Sequence, residues 1–158
     1  MQKIHQKGFT LLEIVLVVTL IAILAGIVII AINPSKQLAD SRNTQRKADV
    51  NTILNAVYQY AIDNNGALPA SVPNIASCSS SVTTISKNEI CKTGGLCVGL
   101  VDLSSLTNNG RYIAFLPYDP KSSTTNGTGY LICKDGVTNR VTVAAKNSEN
   151  DIIISATK

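Results

Sequence analysis

The chain has 158 residues, enough for one ordinary domain with a real core beside an anchor, but tight for two domains. Its hydrophobic share is 45% and its formal charge +4; the 14 basic residues include Lys3 and Lys7, and without these two, 12 stand against 10 acidic ones, too even a balance to argue a nucleic-acid partner, which is possible but not indicated. The one histidine, His5, lies at the extreme N-terminus, so chemistry built on a histidine triad or a histidine zinc site has no candidate in the body of the chain.

The first predicted element is a helix. From Phe9 to Ile32 run 24 residues whose only charge is Glu13 and whose only other polar side chains are Thr10 and Thr19. At about 1.5 Å per residue the run reaches roughly 36 Å, enough to cross a hydrocarbon layer of about 30 Å. Lys3, His5 and Lys7 precede it without an acidic residue, which places the N-terminus in the cytoplasm and the rest across the membrane. A secretory signal peptide has a similar outline, but its apolar core is only about 7 to 15 residues long, and Ile30-Ala31-Ile32-Asn33-Pro34 is a poor cleavage site. A carboxylate within such a helix costs roughly 2.5 to 3.5 kcal/mol on insertion scales, so Glu13 calls for a partner.

After Asn33, Pro34 is expected to kink or restart the helix. The polar stretch Ser35 to Asp49 contains no glycine or proline and can remain helical. Arg42, Arg46 and Lys47 on it are read as a solvated face, or as partners of Asp40 and Asp49 in other copies, ahead of phospholipid or DNA binding. Val50, Ile53, Leu54, Val57, Ala61 and Ile62 then recur at helical spacing and form an apolar stripe that needs a cover; Tyr58 and Tyr60 lie on or beside it as packing residues. Asp63-Asn64-Asn65-Gly66 ends the helix, and Pro69 prevents its resumption.

Residues 67–111 read as irregular, apart from a helical turn at 102–106 capped by Asp102. Strands are predicted over 112–116, 129–133, 140–145 and 151–155 as an antiparallel meander, with Tyr130, Ile132, Val141 and Val143 in one layer against the helix stripe. The fold class is therefore α+β: a long N-terminal helix, its first half transmembrane, packed by its second half against a small antiparallel β-sheet.

Cys78, Cys91, Cys97 and Cys133 are spaced by 13, 6 and 36 residues without a C-x-x-C pair, in a part of the chain predicted to be exported. Disulfides are preferred over a four-thiolate zinc site. Three connectivities are open; the preferred one joins Cys78 to Cys91 and Cys97 to Cys133, tying the irregular region to the sheet. No metal or cofactor site is expected. Asn126-Gly127-Thr128 fits a glycosylation sequon and equally a plain turn.

The residues Gly8-Phe9-Thr10-Leu11-Leu12-Glu13, behind a basic leader and ahead of an apolar run, closely resemble the N-terminus of a type IV prepilin or related pseudopilin. Beyond residue 33 the likeness is one of element order. The resemblance implies a pilin fold organised as a removed leader over 1–8, a transmembrane and filament-core helix over 9–33, its amphipathic continuation over 34–65, an irregular region with cysteines over 66–111 and a sheet over 112–158. It also implies that a prepilin peptidase cuts between Gly8 and Phe9 and methylates the Phe9 amine, and that Glu13 of one subunit neutralises that amine on a neighbour during filament assembly. Family members often carry glycine and proline where this chain has Ala22 and Ile30, so any loosening of the helix in a filament is expected near Gly26 or Asn33-Pro34.

The implied protein is a non-enzymatic structural subunit. It would be a single-pass membrane protein with a cytoplasmic N-terminus before assembly and part of an extracellular filament afterwards. Implied partners are other copies of itself, the peptidase, an assembly ATPase, a membrane platform protein and, before assembly, membrane lipid. A pseudopilin of a type II secretion or DNA-uptake machine is the alternative within the family; a signal-anchored exported binding domain or hydrolase that never polymerises is the rival outside it. Major pseudopilins bind calcium near their C-terminal sheet; Asp119, Asp135, Glu149 and Asp151 form no dense D-x-D-x-D loop and are read as solvated turn residues.

Overall fold

A computed structural model of the chain describes residues 8–76, 78, 88–122 and 124–158. They divide into two units, one ending at Leu38 and the other covering Ala39–Lys158.

In the first unit, α1 spans Leu11–Ile32. Thr10 caps it, its hydroxyl accepting from the Glu13 N–H at 3.2 Å. A threonine followed three residues later by glutamate is the sequence form of a capping box, and the acidic group in the first turn also suits the helix dipole. No residue of α1 is buried. A 22-residue apolar helix is long enough by length and composition to cross a membrane. It stops at Asn33, whose φ of 46° is left-handed, and the chain restarts with Pro34 in the first position of the next helix. The Asn33 side chain accepts from the Ser35 hydroxyl at 2.8 Å, so the break expected at Asn33-Pro34 is a capped restart. Gly26 lies inside α1.

The second unit is built on α2, which spans Pro34–Asp63. Its buried positions from Ala39 onward are Ala39, Asn43, Arg46, Val50, Ile53, Leu54, Ala56, Val57 and Ala61, a three-and-four spacing that holds one face toward a core. Ile62 departs from the predicted stripe: it is 78% exposed. Asn65 and Gly66 both take positive φ after Asp63, and the Gly66 N–H returns to the Ala61 carbonyl at 2.8 Å, closing the helix as expected.

The sheet is mixed rather than wholly antiparallel. Its strands are β1 (Asn74–Ile75), β2 (Glu89–Cys91), β3 (Gly127–Asp135), β4 (Val141–Ala145) and β5 (Ser155–Thr157), in the order β1-β3-β4-β5, with β2 also on β3. β1 runs parallel to the end of β3, and the other pairings are antiparallel. Pairing of Ile132 with Val143 sets the register that places Tyr130, Ile132, Val141 and Val143 in the same core as Val50, Ile53 and Val57. The opposite face buries Leu131, Cys133 and Ala144 beneath Cys78 and Ile75.

Two predicted strands do not form as drawn. Residues 112–116 are irregular because the Tyr112 and Ile113 N–H groups both return to the Leu106 carbonyl at the end of the short helix α3 (Ser104–Thr107), while Leu116 N–H donates to the Thr93 hydroxyl. The last strand begins at Ser155 rather than 151, since Asn150 and Asp151 take φ of 59° and 54°, incompatible with an extended strand. The short helix also starts later than predicted: its N-cap is Leu103, without a side-chain cap, and Asp102 stands one residue ahead, accepting from the Ser104 N–H at 2.8 Å.

The preferred disulfide connectivity is overturned. Cys78 bonds Cys133, and Cys91 bonds Cys97. The reason is strand register: Cys91 pairs with Gly127, six residues and about 20 Å along β3 from Cys133, so Cys78, seated on Cys133, is out of reach of Cys91, because a disulfide spans at most about 7 Å between Cα atoms. A turn in which Gly95 N–H donates to the Lys92 carbonyl instead folds Cys97 back onto Cys91.

Candidate functional site

Two sites are candidates, one in each unit. The first is the junction ahead of α1. Gly8, Phe9 and Thr10 precede the helix and are exposed, Phe9 to 78%. A side chain built at Gly8 would meet nothing within 4 Å, so the Gly8–Phe9 peptide is open on the described side. Glu13 follows in the first helical turn, exposed on an apolar helix. Thr10, which fixes where the helix begins, carries a role that the sequence reading did not give it; the Thr-x-x-Glu spacing was the available signal. Lys3, His5 and Lys7 lie outside the described residues.

The second site is a charged cluster inside the other unit. Arg46 is fully buried and donates to both carboxylate oxygens of Asp119, at 2.6 and 3.1 Å. Its remaining nitrogen reaches Glu149 at 3.0 Å and the Asn43 side-chain oxygen at 3.0 Å. Glu149 also receives Arg42 at 2.7 and 2.8 Å and Lys121 at 2.9 Å. Asn43 clasps the Glu149 backbone, donating to its carbonyl and accepting from its N–H. The fork of a guanidinium matches a carboxylate, which is why arginine serves at the buried positions.

These contacts correct the sequence reading. Arg46 is not on a solvated face, and Asp119 and Glu149 are not solvated turn residues: together they bolt α2 to the loops before β3 and after β4. The apolar stripe held the clue, because stepping back from Val50 by four, three and four residues lands on Arg46, Asn43 and Ala39, all buried. Asp49 and Asp40 are likewise engaged within the chain, Asp49 accepting from the Tyr130 hydroxyl at 2.6 Å and Asp40 from Asn150 at 2.8 Å. Asp135 is not a solvated turn residue either but the half-buried last residue of β3, whereas Asp151 is exposed as expected.

Electrostatics follow from the partners. Hydrogen bonds from Arg42, then Lys121 and Arg46, hold the Glu149 carboxyl well below the usual range. Backbone N–H groups of Thr138, Cys78 and Val137 lower Asp135 to about 2. Burial pushes Tyr130 and Asp49 upward. Carboxylates pinned this way are poor proton shuttles, so the cluster fits structure better than acid–base chemistry. Among the described residues no three His, Cys, Asp or Glu side chains gather to hold a metal ion.

The sequon residues are occupied as well. Thr128 is buried and donates to the Ile90 carbonyl, and the Asn126 side chain accepts from the Leu96 N–H. Gly127 and Gly129 open β3 because their neighbours leave little room: a Cβ at Gly127 would overlap the Glu89 carboxylate, and one at Gly129 would lie 2.7 Å from Asp119 Cβ.

Residues 3–29 match the model of the prokaryotic N-terminal methylation motif. The N-terminus thus carries a type IV pilin-like N-methylation motif. The matched segment covers the exposed junction, Glu13 and most of α1. The chain is also 42% identical over 67 residues to type II secretion system core protein G of Aeromonas hydrophila, a match covering 41% of this chain. It spans 44% of that relative's length. No solved structure matches. A long apolar N-terminal helix and a small mixed sheet make an α+β arrangement consistent with the pilin fold.

Proposed function

We propose that the chain is a structural subunit that polymerises into an extracellular type IV pilus-like filament after a prepilin peptidase removes residues 1–8. The observation that carries this reading is the coincidence of the methylation motif with an exposed Gly8–Phe9 junction ahead of an apolar helix none of whose residues is buried. Such a helix needs lipid before assembly and other apolar helices after it. Cleavage frees a cationic amine on Phe9, and Glu13 of an adjacent copy is its counter-ion in the filament core, where an unpaired carboxylate is heavily penalised.

The subunit performs no chemistry of its own and uses no cofactor. An assembly ATPase and a membrane platform protein drive it from the membrane, with the N-terminus cytoplasmic and Ala39–Lys158 on the far side. The identity to a type II secretion core protein favours a second reading, a pseudopilin whose filament works within a secretion machine. Mass spectrometry of sheared surface filaments tests the main reading. The expected N-terminal peptide begins at methylated Phe9; filaments composed of chains starting at Met1 would refute the processing step.

A further inference from the structure

The second unit carries two unpartnered patches at opposite ends of α2. At the C-terminal end, a cleft of about 800 Å³ is lined by Ile62, Leu68, Val72 and Lys134. Ile62 is exposed to 78% there. Lys134 is half-buried, and its ammonium makes no ion pair or side-chain hydrogen bond among the described residues. An unpaired ammonium beside aliphatic walls selects a partner that offers a carboxylate next to aliphatic side chains.

The other end offers that combination. Asp151, Ile152 and Ile153 form a ridge, with Asp151 exposed and Ile153 exposed to 75%. The ridge is held on both sides, by Glu149 and Asn150 bound to α2 and by the buried Ile154. Burying an isoleucine side chain is worth about 1.5 to 3 kcal/mol, so a fixed ridge carrying two of them in water favours a cover. Asp151 has no cation beside it among the described residues. Of the neighbouring cations, Arg111 pairs with Asp63 and Lys158 lies over the Tyr58 ring near the cleft, and Arg42 and Lys121 are taken by Glu149 near the ridge.

Cleft and ridge are separated by the 22-residue step from Asp40 to Ile62, about 33 Å of helix, and do not meet within one copy. We infer that the Asp151–Ile153 ridge of one copy seats in the Ile62–Lys134 cleft of a second copy, with the Asp151 carboxylate against the Lys134 ammonium. The two surfaces are unlike, so the contact is heterologous: each copy offers a cleft to one neighbour and a ridge to another. Repetition of such a contact without closure generates an open helical filament. This inference rests on the filament reading above, yet involves neither α1 nor Glu13.

The test uses the full precursor in cells that assemble it. Lys134→Glu and Asp151→Lys are each expected to lower the yield of sheared filaments at least about tenfold, from like charges facing across the contact, and the double variant to restore it. Wild-type yield from both single variants, or a double variant no better than either, overturns the contact. Ile62→Cys combined with Ile153→Cys gives a second readout in oxidised filaments: a ladder of cross-linked multimers is expected, whereas monomers only, or dimers only, overturn it. If these fail while wild-type filaments with processed Phe9 persist, the contact falls and the filament reading stands. If the wild type makes no filaments, both fall.

Discussion

α1 and the part of α2 beyond Leu38 are both regular helices, and they treat charge in opposite ways. α1 exposes every apolar residue and carries one carboxylate without a cation beside it among the described residues. α2 hides an arginine completely and surrounds it with three side-chain partners. An isolated fold satisfied everywhere would show only the second pattern, because buried charges are tolerated when paired and large apolar surfaces when covered. The difference teaches that the buried charge of Ala39–Lys158 is satisfied within one copy, whereas the exposed apolar surface and the carboxylate of α1 are not.

Glu13→Ala is the sharpest way to break that comparison. Removing the charge from α1 should leave a stable membrane protein whose second unit melts at the wild-type temperature, while filament incorporation is lost. Normal filaments from that variant as the sole subunit would sink the proposed role. Arg46→Ala should do the reverse, lowering the stability of the second unit by about 3 to 5 kcal/mol because Asp119 is left buried and uncompensated. Denaturant unfolding measures it; a loss under about 1 kcal/mol would mean that water reaches Asp119. Replacing Arg46 and Asp119 together by apolar residues of similar size should recover much of the loss.

The disulfides sharpen where the second unit is held, and the shorter of the two gives the smallest effect. Cys78–Cys133 closes a separation of 55 residues and Cys91–Cys97 one of 6. Chain-entropy arguments assign them about 4 and about 2 kcal/mol, respectively. Paired serine substitutions should therefore lower the midpoint more at Cys78/Cys133 than at Cys91/Cys97; the opposite order would show that the short loop is held for another reason.

Local patterns were legible in the sequence and long-range ones were not. The end of α2 at Asn65-Gly66, the restart at Pro34 and the layer made by Tyr130, Ile132, Val141 and Val143 follow from residue types within a few positions. β1 and β2 escaped because two- and three-residue strands carry too little alternation to register, and they exist only because β3 offers its edge. Residues 112–116 have strand composition, but their N–H groups are claimed by a helix end and a threonine. Connectivity of the cysteines depended on the pairing of β2 with β3, which no spacing rule contains. At the candidate sites, Gly8, Phe9 and Glu13 stood out because a linear motif carries them. Arg46 did not, since its acidic partners are 73 and 103 positions away.

Gly129 gives the charged cluster an unexpected dependence. Its φ of 82° already disfavours a side chain, and a Cβ there would press within 2.7 Å of Asp119. Its N–H is bound by Glu89, which also holds Lys146. Among the twenty amino acids, the one that sets how closely strand and ion pair approach is the one that contributes no side-chain atom. Gly129→Ala would crowd the Asp119 carboxylate out of its seat without altering a single charge, so the strongest electrostatic feature of the unit is inherited through its least conspicuous residue.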